Sequence, residues 1–291
     1  MSASATTAAT SGPSILFGAH THAAHAFKIL IETLNHYLSK GKGGSFVVNK
    51  KGIFLRNANA KEDVLCDVAL LAENFQDYTI NTPGDICFSI NLNTFYTEML
   101  KKIRKKDHIT LQILSDGAKM YLKVTKETPN NEGNTSSAKT VIVNSSSVPF
   151  EPPTDYGLPV NVLSKIYQQS CREITRPTNK EIEITCWNEK TLRFFATKDG
   201  VVENEATFGS QRSDDKVQTE TFRAKFSAAH IVRPAKLAGL GETVKISVKK
   251  GLPLCYKMKV GCLGDIAIYI KTLDQVRSEH DTAEDEEQDD E

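Results

Sequence analysis

No stretch of this sequence approaches the ~18 to 20 consecutive apolar residues that a membrane-spanning helix needs, so no partner membrane is expected. Short catalytic motifs are lacking too. There is no G-x-S-x-G elbow, no H-E-x-x-H pair of zinc ligands and no pair of carboxylates spaced for acid and base work, so the sequence gives no ground for an enzyme. GKGG at 41–44 lacks the Lys-Ser/Thr ending of a phosphate loop and follows a helical stretch instead of preceding one; it reads as a helix C-cap. Cys66, Cys87, Cys171, Cys186, Cys255 and Cys262 stand singly in apolar surroundings without C-x-x-C spacing, the pattern of buried thiols in a reducing compartment. The opening MSASATTAATSGP has no basic region ahead of an apolar one, as a signal peptide would, and reads as an unstructured extension. A soluble intracellular protein is the expectation.

What is present is a charge imbalance hidden by a net of zero. The last eleven residues, DTAEDEEQDDE, hold eight acids and no base, which leaves 36 bases against 28 acids elsewhere and a body charge of about +8. A tail of that composition has no apolar area to bury and is expected to be disordered. The 291 residues suffice for two domains or one large one.

The stretch VNSSSVPFEPPTDY, 143–156, divides the chain. Three serines followed by Pro149, Pro152 and Pro153 form neither a helix nor a central strand, because each proline lacks an N–H and restricts its predecessor. An extended, exposed linker is expected, with Val148 and Phe150 either offering a docking surface or folding back onto the nearer half. The resulting division is an extension at 1–14, a first domain at 15–142, the linker at 143–156, a second domain at 157–275 and the acidic tail at 276–291.

Before the linker, Ala23, Phe27, Leu30, Leu34 and Leu38 recur at helical spacing, with Lys28, Glu32 and Asn35 on the other side. A second helix fits Asn93 to Lys105, burying Phe95, Met99, Leu100 and Ile103 and exposing Lys101, Arg104 and Lys105. Short β-type runs lie between and after: SFVV, GIFL, VLCDVALL, HITLQIL, KMYLKV and TVIV. Beyond the linker the order repeats. A helix from Leu163 to Ile174 is expected to bury Leu163, Ile166, Tyr167, Ser170 and Ile174, and another from Ser227 to Leu240 carries Arg233 and Lys236 but is interrupted by Pro234. NKKGIFL at 49–55 matches NEKTLRF at 188–194 with an offset of 139; Lys28 to Lys165 gives 137 and Lys101 to Lys236 gives 135. Each half therefore reads as antiparallel strands covered by helices on one face, an α+β class.

Two constellations point to chemistry. Basic residues on the exposed side of all four helices suit a phosphate backbone held without base readout, although lysines also commonly do no more than solvate amphipathic helices. His20, His22 and His25 form H-x-H-x-x-H, which would offer zinc ligands but has no Cys or carboxylate neighbour to complete a site.

In their order and spacing, GIFLRNANA followed by VLCDVALL, DHITLQIL, KETPN at 126–130, SCREI at 170–174, LPLCYKMKV and IAIYIK resemble the eukaryotic sliding clamps, the proliferating cell nuclear antigen (PCNA) family, over about 27–273. The pattern is that of a divergent member, viral members included. The resemblance implies two similar clamp domains per chain, helices on the inner face and sheets outside, and a closed homotrimeric ring around duplex DNA. It implies a processivity factor without catalysis, cofactor or metal, served by a clamp loader and bound by DNA polymerase and other clamp-binding peptides. Its place would be the nucleus, or the viral replication site for a viral member. The basic inner positions fall on Lys28, Lys101, Arg172, Arg176 and Lys236, supplemented by Lys105, Lys165 and Arg233, whereas Asn35, Glu98, Gln169 and Ala229 stand where the family has a base. The partner-peptide pocket falls on Ala58, Phe150, Tyr156, Pro253, Tyr269, Ile270, Lys271 and Thr272, with Ala58 in place of a larger Met. Edge strands near Lys119 to Thr125 and Val202 to Phe208 would pair between subunits. Rival readings are a heterotrimeric checkpoint clamp subunit, a monomeric processivity factor and, from another class, a metal-dependent enzyme using His20, His22 and His25.

Overall fold

Alternating burial runs through most of the chain, and strands dominate the structure accordingly. In this computed structural model residues 13–38, 43–129, 135–145, 151–174, 180–198, 202–209 and 219–288 are described. The first half runs β1 (Ser14–Thr21), α1 (Ala24–Leu38), β2 (Gly44–Asn49), β3 (Gly52–Ala58), β4 (Val64–Leu71), β5 (Asp77–Ile80), β6 (Ile86–Ile90) and α2 (Leu92–Thr94). A π-helical turn, Phe95–Leu100, then leads into β7 (His108–Ser115), β8 (Met120–Glu127) and β9 (Thr135–Asn144). The second half runs β10 (Val160–Leu163), α3 (Ser164–Ile174), β11 (Glu181–Trp187), β12 (Thr191–Lys198), β13 (Val202–Gly209), β14 (Glu220–Ser227), α4 (Ala228–Val232) and α5 (Pro234–Ala238). It ends with β15 (Thr243–Ser247), β16 (Leu254–Lys259), β17 (Gly264–Ile270) and α6 (Leu273–Gln288). The class is α+β, antiparallel sheets with few helices, as the sequence leads one to expect.

Strands follow in the order β10-β15-β16-β17-β4-β3-β2-β6-β9-β8-β7-β1-β5 in one sheet and β13-β12-β11-β14 in another. The pairings repeat. β1 with β7, β2 with β3, β3 with β4, β2 with β6, β7 with β8 and β8 with β9 reappear as β10 with β15, β11 with β12, β12 with β13, β11 with β14, β15 with β16 and β16 with β17. Register repeats as well: Gly44↔Ile90 and Glu181↔Ser227 are one pair shifted by 137 residues, from 181 − 44 and 227 − 90 alike. One junction stands outside the repeat. β17 pairs with β4 along its whole length, from Gly264↔Leu70 to Ile270↔Val64, and joins the two halves. The strands at the matching positions, β9 and β13, are not paired with each other. β13 has only β12 beside it, and β9 meets β6 only at Val143 and Asn144, so residues 135–142 form an edge on that side among the described residues.

Side chains of both halves enter one core, with Phe17, Leu30, Leu34, Leu55 and Leu70 from the first and Tyr167, Phe194, Phe226 and Ile268 from the second. Full burial of each such side chain stabilises the fold by about 1.5–3 kcal/mol.

Several expectations change. Residues 14–21, left without an element by the sequence, form β1. The helix expected over Asn93 to Lys105 is instead α2 plus the π turn, closed by the Lys101 amide donating to Tyr96 O at 2.8 Å, a five-residue step, so Lys101 and Lys105 sit at and beyond its end. α3 buries Tyr167, Ser170 and Ile174 as expected, but Ile166 and, at the end of β10, Leu163 are exposed, whereas Cys171 is buried. Tyr167 anchors the buried face, its hydroxyl donating to Ile231 O at 2.7 Å inside the core. The Ser227–Leu240 helix breaks at Pro234, which begins α5. The expected disordered tail is helical through Gln288, started by a cap at Thr272. Finally, Lys119–Thr125 belongs largely to β8, which is flanked by β7 and β9 and presents no edge; Val202–Phe208 lies in the edge strand β13. In the linker, residues 151–156 have no regular structure, and Val148 and Phe150 lie outside the described residues.

Candidate nucleic-acid interface

The helices of the two halves pack on one another. α1 contacts α2, the π turn and α5, and α3 contacts α4 and α5. Their solvent side and the turn after the π helix gather the bases. Lys101, Lys105, Lys165, Arg172 and Lys236 are exposed, and Lys28 and Arg233 are partly covered. Arg176 lies outside the described residues. Convergence is visible at His25 of α1: burial lowers its pKa first, and then the charges of Lys28, Lys105 and Lys236 lower it further, against the pull of Glu32. Three bases from α1, the 101–106 run and α5 therefore act on one point.

They are not equally available to a phosphate. The Lys28 ammonium donates to the carbonyls of Lys101 at 2.7 Å and Ile103 at 2.9 Å, capping the end of the π turn. Lys236 is held by both carboxylate oxygens of Glu32 at 2.7 Å. Arg233 lies over the Tyr37 ring at 5.4 Å and beside His230 Nδ1 at 3.4 Å. Among the positions where the family has a base, Glu98, Gln169 and Ala229 are exposed and Asn35 is partly so. Gln169 donates to Glu173 at 2.9 Å.

Lys102 and Lys106 were missed, and Arg104 was read only as an exposed helix residue. Lys102, Arg104 and Lys106 are exposed in the same turn as Lys101 and Lys105. Buried Asp107 shapes that turn: it accepts from the Arg104 amide at 2.8 Å and from Thr128 Oγ1 at 3.1 Å, while Ile103 is buried beneath. The signal was in the sequence, since KKIRKK places five bases in six residues.

The pocket residues come together in part. Tyr156 Oη donates to Pro253 O at 2.7 Å and its ring lies 6.3 Å from that of Tyr269. With Ala58 and Ala267 it packs on Leu65, Cys255 and Tyr269, a small cluster apart from the main core. Burial pushes both phenols up and raises the Cys255 thiol to about 11, so all three stay neutral. Ile270 is fully buried in β17 and offers no surface to a peptide. Lys271 pairs with Glu279 at 2.6 Å, and Thr272 caps α6, so both are engaged with that helix.

Exposed apolar side chains lie at or beside the open edges. Val141 and Val143 of β9 are exposed at 52% and 66%, and Leu158, Leu163 and Ile166, beside β13, at 88%, 57% and 49%. With Val160, Phe208 and Gly209 these last three line one open groove along β13.

The histidines regroup. His20 and His22 lie with His108, not with His25. The chain turns into α1 after Thr21, carrying His25 toward the lysines, while the pairing Thr21↔Ile109 brings His108 alongside the end of β1. No family model matches the chain, and no curated protein matches it.

Proposed function

We propose that the chain is a DNA sliding clamp, a processivity factor that closes into a homotrimeric ring of six similar domains around duplex DNA and has no catalysis of its own. The observation that carries this reading is the junction of β17 with β4, whose counterpart, β9 with β13, is not formed among the described residues. If β9 of one copy lies against β13 of the next as β17 lies against β4, the contact is head-to-tail and repeats until it closes. Val141 and Val143 would then cover Leu163 and Ile166, whose exposure in one chain is otherwise a solvation cost. Helices bearing the exposed bases would line the hole, neutralising phosphates without fixing register, as sliding requires. Clamp-binding peptides of polymerases would take the patch around Tyr156 and Tyr269, with a loader opening the ring, in the nucleus or at a viral replication site.

Light scattering at micromolar concentration tests the ring. The expected mass is about three times that of the 32.2 kDa chain, in line with closed cyclic assembly. Val141→Glu on β9 and Ile166→Glu on α3 beside β13 should each reduce it to one chain mass while leaving the circular dichroism spectrum intact. A strict monomer of the unmodified protein would overturn the ring, and assembly only with unlike partner chains would favour a checkpoint clamp subunit.

A further inference from the structure

His20 near the end of β1 and His22, the first residue past it, straddle buried Thr21, and their ring centres lie 5.3 Å apart. His108 opens the neighbouring antiparallel strand β7, in which Thr110 is paired with His20. The three imidazoles meet: His22 and His108 stack with ring centres 3.9 Å apart, and His20 stands edge-on to them at 5.3 and 6.0 Å. One ring nitrogen from each lies within 4.8 Å of the others.

Their mounts are fixed. His20 Nδ1 lies 3.0 Å from Thr110 Oγ1, which orients the ring and leaves Nε2 for another partner. Gln76 holds the backbone on both sides of Thr21: its amide donates to His20 O at 3.0 Å, and its side-chain oxygen accepts from the His22 amide at 3.0 Å. A tetrahedral zinc ion with Zn–N bonds of about 2.0–2.1 Å draws its nitrogens to about 3.4 Å of one another. Closing the remaining distance requires rotation of the His22 side chain, which is exposed.

We propose that His20, His22 and His108 bind one borderline divalent transition-metal ion, zinc being the closest fit, with a fourth position left to water. Imidazole nitrogen suits such ions, and three neutral nitrogen ligands without thiolate or carboxylate leave the ion its full charge. The ion would fasten the β1–α1 turn to the start of β7, directly after the 101–106 basic run, and add positive charge there. This holds whether or not the chain forms a ring.

The test uses the full chain, freed of metal by chelation and titrated with zinc chloride by calorimetry, with Co²⁺ absorption reporting geometry. One equivalent per chain is expected, with an intense tetrahedral Co²⁺ spectrum and a higher melting temperature when zinc is present. His22→Ala and His108→Gln should each weaken zinc binding at least ~10-fold, since even outer partners of metal ligands cost that much. His22 is exposed, so its variant should melt like the unmodified chain in chelator. His25→Ala, His36→Ala and Cys262→Ser should bind zinc as the unmodified chain does. The proposal is overturned by absence of micromolar binding, by binding that survives in both His22→Ala and His108→Gln, or by binding lost in Cys262→Ser.

Discussion

Pro234 has no N–H to give to the carbonyl four residues back, and His230 O is that carbonyl. Tyr37 of α1 donates to it at 2.7 Å, and Tyr167 of α3 donates to the next carbonyl, Ile231 O, at the same distance. One tyrosine from the leading helix of each half thus satisfies the backbone that the proline break leaves open, and burial holds both phenols well above their usual pKa, so they remain donors. Tyr37→Phe should destabilise the fold by about 1–3 kcal/mol, the cost of a buried acceptor left without a partner. Combining it with Pro234→Ala should cost less than the sum of the two single changes, because the alanine N–H reaches His230 O. Urea unfolding of the four proteins checks this, and strict additivity would show that tyrosine and proline are unrelated. The proline break was legible in the sequence. Its repair was not, because Tyr37 and His230 are 193 residues apart and periodicity reports nothing at that range.

At the level of elements, patterning read well where one face is buried and poorly where hydrogen bonds decide. β2 and β6 alternate strictly between buried and partly exposed residues, and α1 buries Phe27, Leu30, Leu34 and Leu38 as their spacing predicts. β1 escaped notice because Ser14, His20 and Thr21 dilute its apolar content, although Phe17, Ala19 and Thr21 alternate inward. α6 was hidden by its acids. Composition argued for disorder, whereas the local signal TLDQ at 272–275 argued for a helix start: Thr272 Oγ1 accepts from the Gln275 amide at 3.0 Å, and Gln275 Oε1 accepts from the Thr272 amide at 2.9 Å. Gln275 also donates to Gly251 O at 3.1 Å, tying the helix to the body. Thr272→Ala should therefore cost the helix about 1 kcal/mol. The effect should be seen as faster amide hydrogen exchange over 273–279 with the sheets unchanged; unaltered exchange there would mean that packing on β14, not the cap, holds α6.

Across the whole molecule, the repeat was visible in the sequence as nearly constant offsets and is visible in the structure as repeated pairing. The basic surface was legible only as a list of residues, since which of them are free depends on partners from other elements. Lys236 illustrates this, because Glu32 of α1 holds it and is itself only 13% exposed. If the chain encircles DNA, phosphate contact should fall mainly on the exposed run Lys101, Lys102 and Lys105. Replacing these three by Ala should lower the slope of log affinity against log salt by up to ~0.9 per lost contact, equally on duplexes of unlike sequence. Lys236→Ala should change the slope less, because its charge is already countered. Glu32→Gln should act in the opposite direction and tighten binding, since it removes an acid and releases Lys236. Titrating the four proteins with two duplexes at several salt concentrations separates these outcomes. An unchanged slope in the triple variant, or weaker binding by Glu32→Gln, would mean that the bases serve only to solvate their helices and turn.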